Sequence, residues 1–143
     1  MAKCAKPGDV VELSGPDAVV YLQYLGKHSE YGDAVMVSPI KRASLIEIDG
    51  ELFRNGYVAF FPVVAAVSKG LASVVGKLPA IGVPERLRRP GARSTNKVET
   101  WVIEGRDGEL VRSTLTDAER ELPIAVIWNR ELLLQRVSEG WRP

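Results

Sequence analysis

A chain of 143 residues is the size of one domain, and its 45% apolar and 26% charged side chains are those of a folded globular protein. No window approaches the ~18 consecutive apolar residues of a membrane-spanning helix, and the single cysteine, Cys4, can form neither an internal disulfide nor a zinc site. The 19 basic and 18 acidic side chains leave a net charge of +1, which excludes a global field for nucleic acid or an anionic membrane.

The N-terminal residues through Asp9 lack a secretory-type apolar stretch, so the chain is expected in the cytoplasm. Closely spaced turn residues (Pro7-Gly8, Gly15-Pro16, Gly32-Asp33, Asn55-Gly56, Pro90-Gly91) separate short apolar runs, which favours sheets over long helices. Asp9 to Leu13, Ala18 to Leu25 and Ala34 to Ser38 read as a three-stranded meander. Arg42 to Ile48 fits either a strand or, through Ser44-Leu45-Ile46-Glu47, a helix-capping box. Asn55-Gly56 tolerates the positive φ of a type I′ turn, so Glu51–Arg54 and Tyr57–Phe61 are expected to form a tight hairpin. Val63 to Lys69 reads as a helical turn closed by Gly70, and Leu71 to Val75 as a strand.

Residues 77–97 combine Pro79, Pro84, Pro90 and Gly82 with Lys77, Arg86, Arg88, Arg89, Arg93 and Lys97, against one acid, Glu85. No period survives there, and the expectation is a long basic loop. A second hairpin follows, Val98 to Glu104 and Glu109 to Thr114 around Gly105–Gly108, with Trp101 and Ile103 on one face and Val102 opposite. Thr116-Asp117-Ala118-Glu119 is a capping box for a short helix. Ile124 to Trp128 reads as an interior strand. Asn129 caps a last helix, Arg130 to Glu139, whose apolar face is Leu133, Leu134 and Val137 and whose stop is Gly140. The expected fold is α+β and mostly β. It is a twisted antiparallel sheet or partly open barrel of about 7–8 short strands, with a C-terminal helix, in a single domain spanning residues 1–143.

Reactive constellations are sparse. His28 sits in the polar turn Gly26-Lys27-His28-Ser29-Glu30, and no Gly-x-Ser-x-Gly elbow accompanies it. The run Gly70 to Lys77 departs from a phosphate-binding loop, with five residues between its glycines and Leu78 after the lysine. Asp33, Asp49, Glu104 and Glu109 offer carboxylates, but Glu104 and Glu109 are expected to flank a hairpin turn in water. No catalytic residue, metal site or cofactor is expected. The basic loop is the one asymmetry. Its arginines can contact phosphates, pair with the acids elsewhere, or anchor a protein interface together with an exposed tryptophan. The loop carries no aromatic side chain on which a base would stack.

Lys6-Pro7-Gly8-Asp9-Val10-Val11, the segment Phe60-Phe61-Pro62-Val63-Val64-Ala65-Ala66-Val67-Ser68-Lys69-Gly70 and the step Val74-Val75-Gly76-Lys77-Leu78-Pro79 resemble the immunity protein 26 family of bacterial polymorphic-toxin systems. Leu71 departs from the aromatic residue expected after Gly70. The resemblance implies a mostly β protein without enzymatic activity that binds and neutralises a cognate toxin protein. Candidate partner contacts are Arg86, Arg88, Arg89, Arg93 and Trp141. The alternative is a small β-barrel nucleic-acid-binding module using the basic loop 77–97.

Overall fold

A computed structural model describes residues 4–15, 19–40, 48–91, 93–94, 97–98 and 100–143. Strands β1 (Asp9–Ser14), β2 (Val19–His28) and β3 (Gly32–Val37) precede a 3-10 turn over Gly50–Phe53, strand β4 (Tyr57–Phe60), helix α1 (Val63–Ser68) and β5 (Ala72–Lys77). Then come β6 (Leu87–Pro90), β7 (Arg93–Ser94), β8 (Lys97–Val98), β9 (Trp101–Gly105), β10 (Gly108–Arg112), α2 (Asp117–Arg120) and α3 (Arg130–Glu139). The chain divides into two compact units, Met1–Val83 with Ile127–Arg142, and Pro84–Val126 with Pro143. The Arg42 to Ile48 reading lies outside the described residues, apart from Ile48.

The first unit is an open antiparallel sheet of five strands in the order β4-β3-β2-β1-β5. Its period-2 alternation separates two apolar faces. Val11, Leu13, Val20, Leu22, Val35, Val37 and Ala59 pack with Val63, Ala66 and Val67 of α1 and Leu133 and Val137 of α3. Val10, Tyr21 and Leu52 form a smaller cluster with Ile48, Phe53, Val75 and Leu78. Because β2 is central and covered on both faces, Val20 to Gly26 are all buried, which is why its sequence reads as a continuous apolar run. Each such Val or Leu contributes roughly 1.5–3 kcal/mol by leaving water. Gln23, the polar residue inside this run, donates from Nε2 to the carbonyls of Leu78 at 2.8 Å and Pro79 at 3.2 Å, which satisfies its amide.

Helix α3 follows its sequence signals closely. Asn129 Oδ1 accepts the N–H of Leu132 at 2.8 Å, and Gly140 closes the helix at φ 71°. Two expectations are overturned. The Asn55-Gly56 hairpin does not form, although Asn55 does adopt φ 61°. Glu51–Phe53 instead belong to the 3-10 turn, because Asp49 Oδ1 accepts the N–H of Glu51 at 2.9 Å and Ser38 Oγ donates to the carbonyl of buried Leu52 at 2.6 Å. That leaves β4 to pair with β3. The Ile124 to Trp128 strand is likewise absent. Ile124 and Ile127 make only isolated parallel bridges, to Arg88 and Phe60 respectively, and Val126 and Ile127 are exposed.

The second unit is a three-stranded antiparallel sheet, β10-β9-β6, accompanied by the β7–β8 pair and α2. The expected hairpin around Gly105–Gly108 forms between Trp101–Gly105 and Gly108–Arg112, with Glu109 opposite Glu104 and Val111 opposite Val102, while Val98 pairs with Arg93 instead. The capping box at Thr116 carries both of its bonds. The expected long loop 77–97 is corrected at Lys77, which ends β5, and at residues 87–90, 93–94 and 97, which lie in strands. Leu87 and Arg88 are buried on opposite faces of β6, so an inward position is held by an arginine and the apolar alternation is broken. Neither larger sheet closes on itself, so the barrel form of the expected fold gives way to open sheets.

Candidate functional site

Strand β6 brings Arg88 and Arg89 onto the second unit's sheet and points them to opposite faces. On one face Arg89 Nε donates to Glu104, and its Nη2 reaches Glu109 Oε1 at 3.3 Å. Glu104 and Glu109 lie directly across the β9–β10 ladder, and one guanidinium between them relieves their like-charge repulsion. Its bonds to Glu104 and then Glu109 raise the Arg89 pKa above the ordinary value.

On the other face Arg88 is 6% exposed. Its guanidinium carbon stands 4.8 Å from the Trp101 ring centroid, and Nε donates to the Leu122 carbonyl at 3.0 Å. Burial lowers its pKa, with partial compensation from Glu121. The same face holds the buried carboxylate of Glu119. Glu119 Oε1 accepts the N–H of Thr116 at 3.0 Å, and Oε2 faces Arg112 Nε at 3.2 Å and Arg86 Nη2 at 4.0 Å. The Thr116 N–H, then Arg112, hold the Glu119 carboxyl below its usual range, against the opposing effect of burial. Residues 84–126 carry eight basic and eight acidic side chains, so the positive excess of the sequence segment is cancelled within its own unit.

The five candidate contacts are therefore dispersed. Arg86, Arg88 and Arg89 lie in one unit, each with an internal partner. Arg93 stands in β7, opposite Val98. Trp141 belongs to the first unit, where its ring packs at 5.0 Å from Trp128 and 5.5 Å from Tyr57. Arg136 lies over both tryptophans, 4.7 Å from the Trp128 centroid and 4.3 Å from that of Trp141. This cluster borders a cavity of about 30 Å³ lined by Ser38, Pro39, Tyr57, Val137, Gly140, Trp141 and Arg142. The Tyr57 hydroxyl is buried with no hydrogen-bond partner among the described residues.

His28 is the last residue of β2, so the expected turn position is corrected by one step. Its Nδ1 accepts the N–H of Glu30 at 3.1 Å and of Tyr31 at 3.3 Å, and its ring contacts Tyr31 and Phe60. Asp33 Oδ2 likewise accepts the N–H of Val64 at 3.1 Å, at the start of α1. Among the described residues no three His, Cys, Asp or Glu side chains cluster to hold a metal ion, and no helix is long and apolar enough to cross a membrane.

The feature that the sequence did not single out is β10. All five of its residues are exposed, among them Leu110 and Val111, and it forms the outer edge of its sheet. A cavity of about 350 Å³ lies beside it, lined in part by Glu85, Arg86, Ile103, Glu109 and Leu110. The turn residues Gly105–Gly108 marked the strand in the sequence, but only the strand order shows which side of it is left open. Comparison with family models, with curated proteins and with solved structures finds no match for this chain.

Proposed function

We propose that the chain is a non-catalytic protein-binding module of immunity type, which binds a cognate bacterial toxin and neutralises it in the cytoplasm of the producing cell. The observation that carries the protein-binding reading is the contrast inside the second unit. Arg88 stacks on Trp101, Arg89 is held by the Glu104–Glu109 pair and half-exposed Arg86 reaches Glu119 at 4.0 Å, while Leu110 and Val111 face solvent. A surface where Arg88 and Arg89 are engaged internally and where an exposed strand carries Leu110 and Val111 suits a protein better than a polyphosphate. The toxin role rests on the resemblance of residues 6–11, 60–70 and 74–79 to the immunity protein 26 family.

Co-expression tests this reading. The chain is expected to restore growth to cells producing the toxin encoded beside it and to co-purify with that toxin at nanomolar affinity, through an interface of standard size, about 1,600 Å². Turnover of a small compound by the purified chain, abolished by a single substitution such as Glu104→Gln, would overturn it.

A further inference from the structure

We propose that the outer edge of β10 is the docking site for an extended strand of a partner protein. That strand adds antiparallel to β10 and runs acidic, apolar, apolar, basic across Arg112, Val111, Leu110 and Glu109. The proposal rests on the protein-binding reading and specifies its surface.

The first argument is the backbone. In an antiparallel pair alternate residues turn their N–H and C=O groups away from the partner. β10 pairs with β9 on one side, and no described residue pairs with the other. The opposite edge of the same sheet is closed: Arg88 N–H donates to the Pro123 carbonyl at 2.9 Å, and Ala125 N–H to the Arg88 carbonyl at 2.8 Å. Open edges are commonly guarded by short length, charged side chains, proline or a bulge, and β10 has neither proline nor bulge, its charges Glu109 and Arg112 leaving Leu110 and Val111 between them uncovered. β10 reads Gly-Glu-Leu-Val-Arg, and its register against β9 is unbroken.

The second argument is the side chains. Leu110 is 52% exposed and Val111 is 67% exposed, on opposite faces of the strand. An added strand covers both, and the cavity bordered by Ile103 and Leu110 receives one of its apolar side chains. Glu109 and Arg112 bracket the apolar pair and remain 59% and 43% exposed beside their internal partners Arg89 and Glu119, so a matching strand presents a base to the first and an acid to the second.

Charge register also selects the occupant. In a two-fold antiparallel pairing of two copies, opposed residues must share a face, so their numbers have the same parity. Leu110 against its own copy sets Glu109 across from Val111, and Val111 against its own copy sets Leu110 across from Arg112. Both registers oppose a charge to an apolar side chain. A foreign strand is free of this constraint.

The test uses the isotope-labelled full chain and two short synthetic peptides, one centred on Glu-Val-Val-Lys and one on the reversed Lys-Val-Val-Glu. The first is expected to cause saturable NMR shifts confined to the amides of residues 108–112 and the adjoining β9. The reversed peptide is expected to bind about tenfold more weakly, from the exchange of matched for like-charge pairs. Leu110→Lys with Val111→Lys abolishes the shifts, and Leu71→Lys, on an exposed apolar residue of the other unit, leaves them unchanged. Absence of saturable shifts in 108–112, equal or tighter binding of the reversed peptide, or a concentration-dependent dimer protected at β10 each overturns the proposal. If toxin neutralisation persists in the double lysine variant, the edge assignment falls and the immunity reading stands. If the wild-type chain neutralises no toxin while the first peptide still docks at β10, the immunity reading falls and the edge assignment stands.

Discussion

Arg88 lays its guanidinium over the ring of Trp101, 4.8 Å from the centroid, on a face of the sheet where both side chains are partly or wholly withdrawn from water. The planar group stacks and still directs Nε to the Leu122 carbonyl. Lysine keeps the charge but has neither the plane nor the fork. Arg88→Lys is therefore expected to lower stability by about 1–2 kcal/mol, from the weakened cation–π contact and the lost hydrogen bond. Arg86→Ala should cost less than ~1 kcal/mol, because Arg86 is half-exposed and meets Glu119 only at 4.0 Å. Urea unfolding of the two variants checks the order. Equal losses would contradict the placement of Arg88 as an internal residue.

Glu119 is expected to contribute to the acid sensitivity of the second unit. Its folded-state pKa is depressed, so its stabilisation is present above the ordinary carboxylate range and is lost as pH falls through the lowered value. Glu119→Gln is expected to lower Tm at neutral pH and to flatten its decline below that range. Melting curves from pH 7 downward read both effects, and an unchanged acid slope would remove Glu119 from this role.

Tyr57 is expected to contribute to alkaline sensitivity. Burial pushes its pKa up to about 12, against the smaller opposing effect of Arg136 and Arg142. The raised value means a contribution that is full below the ordinary tyrosine range and is lost as pH rises through about 12. Its ionisation is expected near 12, above the ordinary tyrosine range, in an ultraviolet titration. Tyr57→Phe removes a buried hydroxyl that has no described partner, so it should leave stability unchanged or raise it by up to ~1 kcal/mol. A large loss would show that the hydroxyl is bonded in solution.

Much of the fold was legible where local chemistry and burial agreed. The β1–β2–β3 meander, the Thr116 capping box and the Asn129–Gly140 helix all stand as their residues suggest. Asn55-Gly56 misled because its positive φ serves the exit of a capped 3-10 turn as readily as a hairpin, and the Asp49 cap decided between them. Strand β6 was hidden because Arg88 occupies an inward position that periodicity reserves for an apolar residue. The candidate contacts were legible as a cluster of charge but not as ion pairs, since Glu104, Glu109 and Glu119 meet the arginines only after β6 has paired with β9.

Arg86, Arg88 and Arg89 contact Glu119, Trp101 and the Glu104–Glu109 pair of their own unit, and weak binding of nucleic acid is the expected consequence. Fluorescence anisotropy with a labelled, mixed-sequence single-stranded RNA at low and physiological salt tests it most directly. The expected result is no association tighter than the ~10⁻⁶ M of ordinary non-specific binding. Nanomolar affinity that falls steeply with salt and disappears in the Arg86→Ala, Arg89→Ala variant would contradict it.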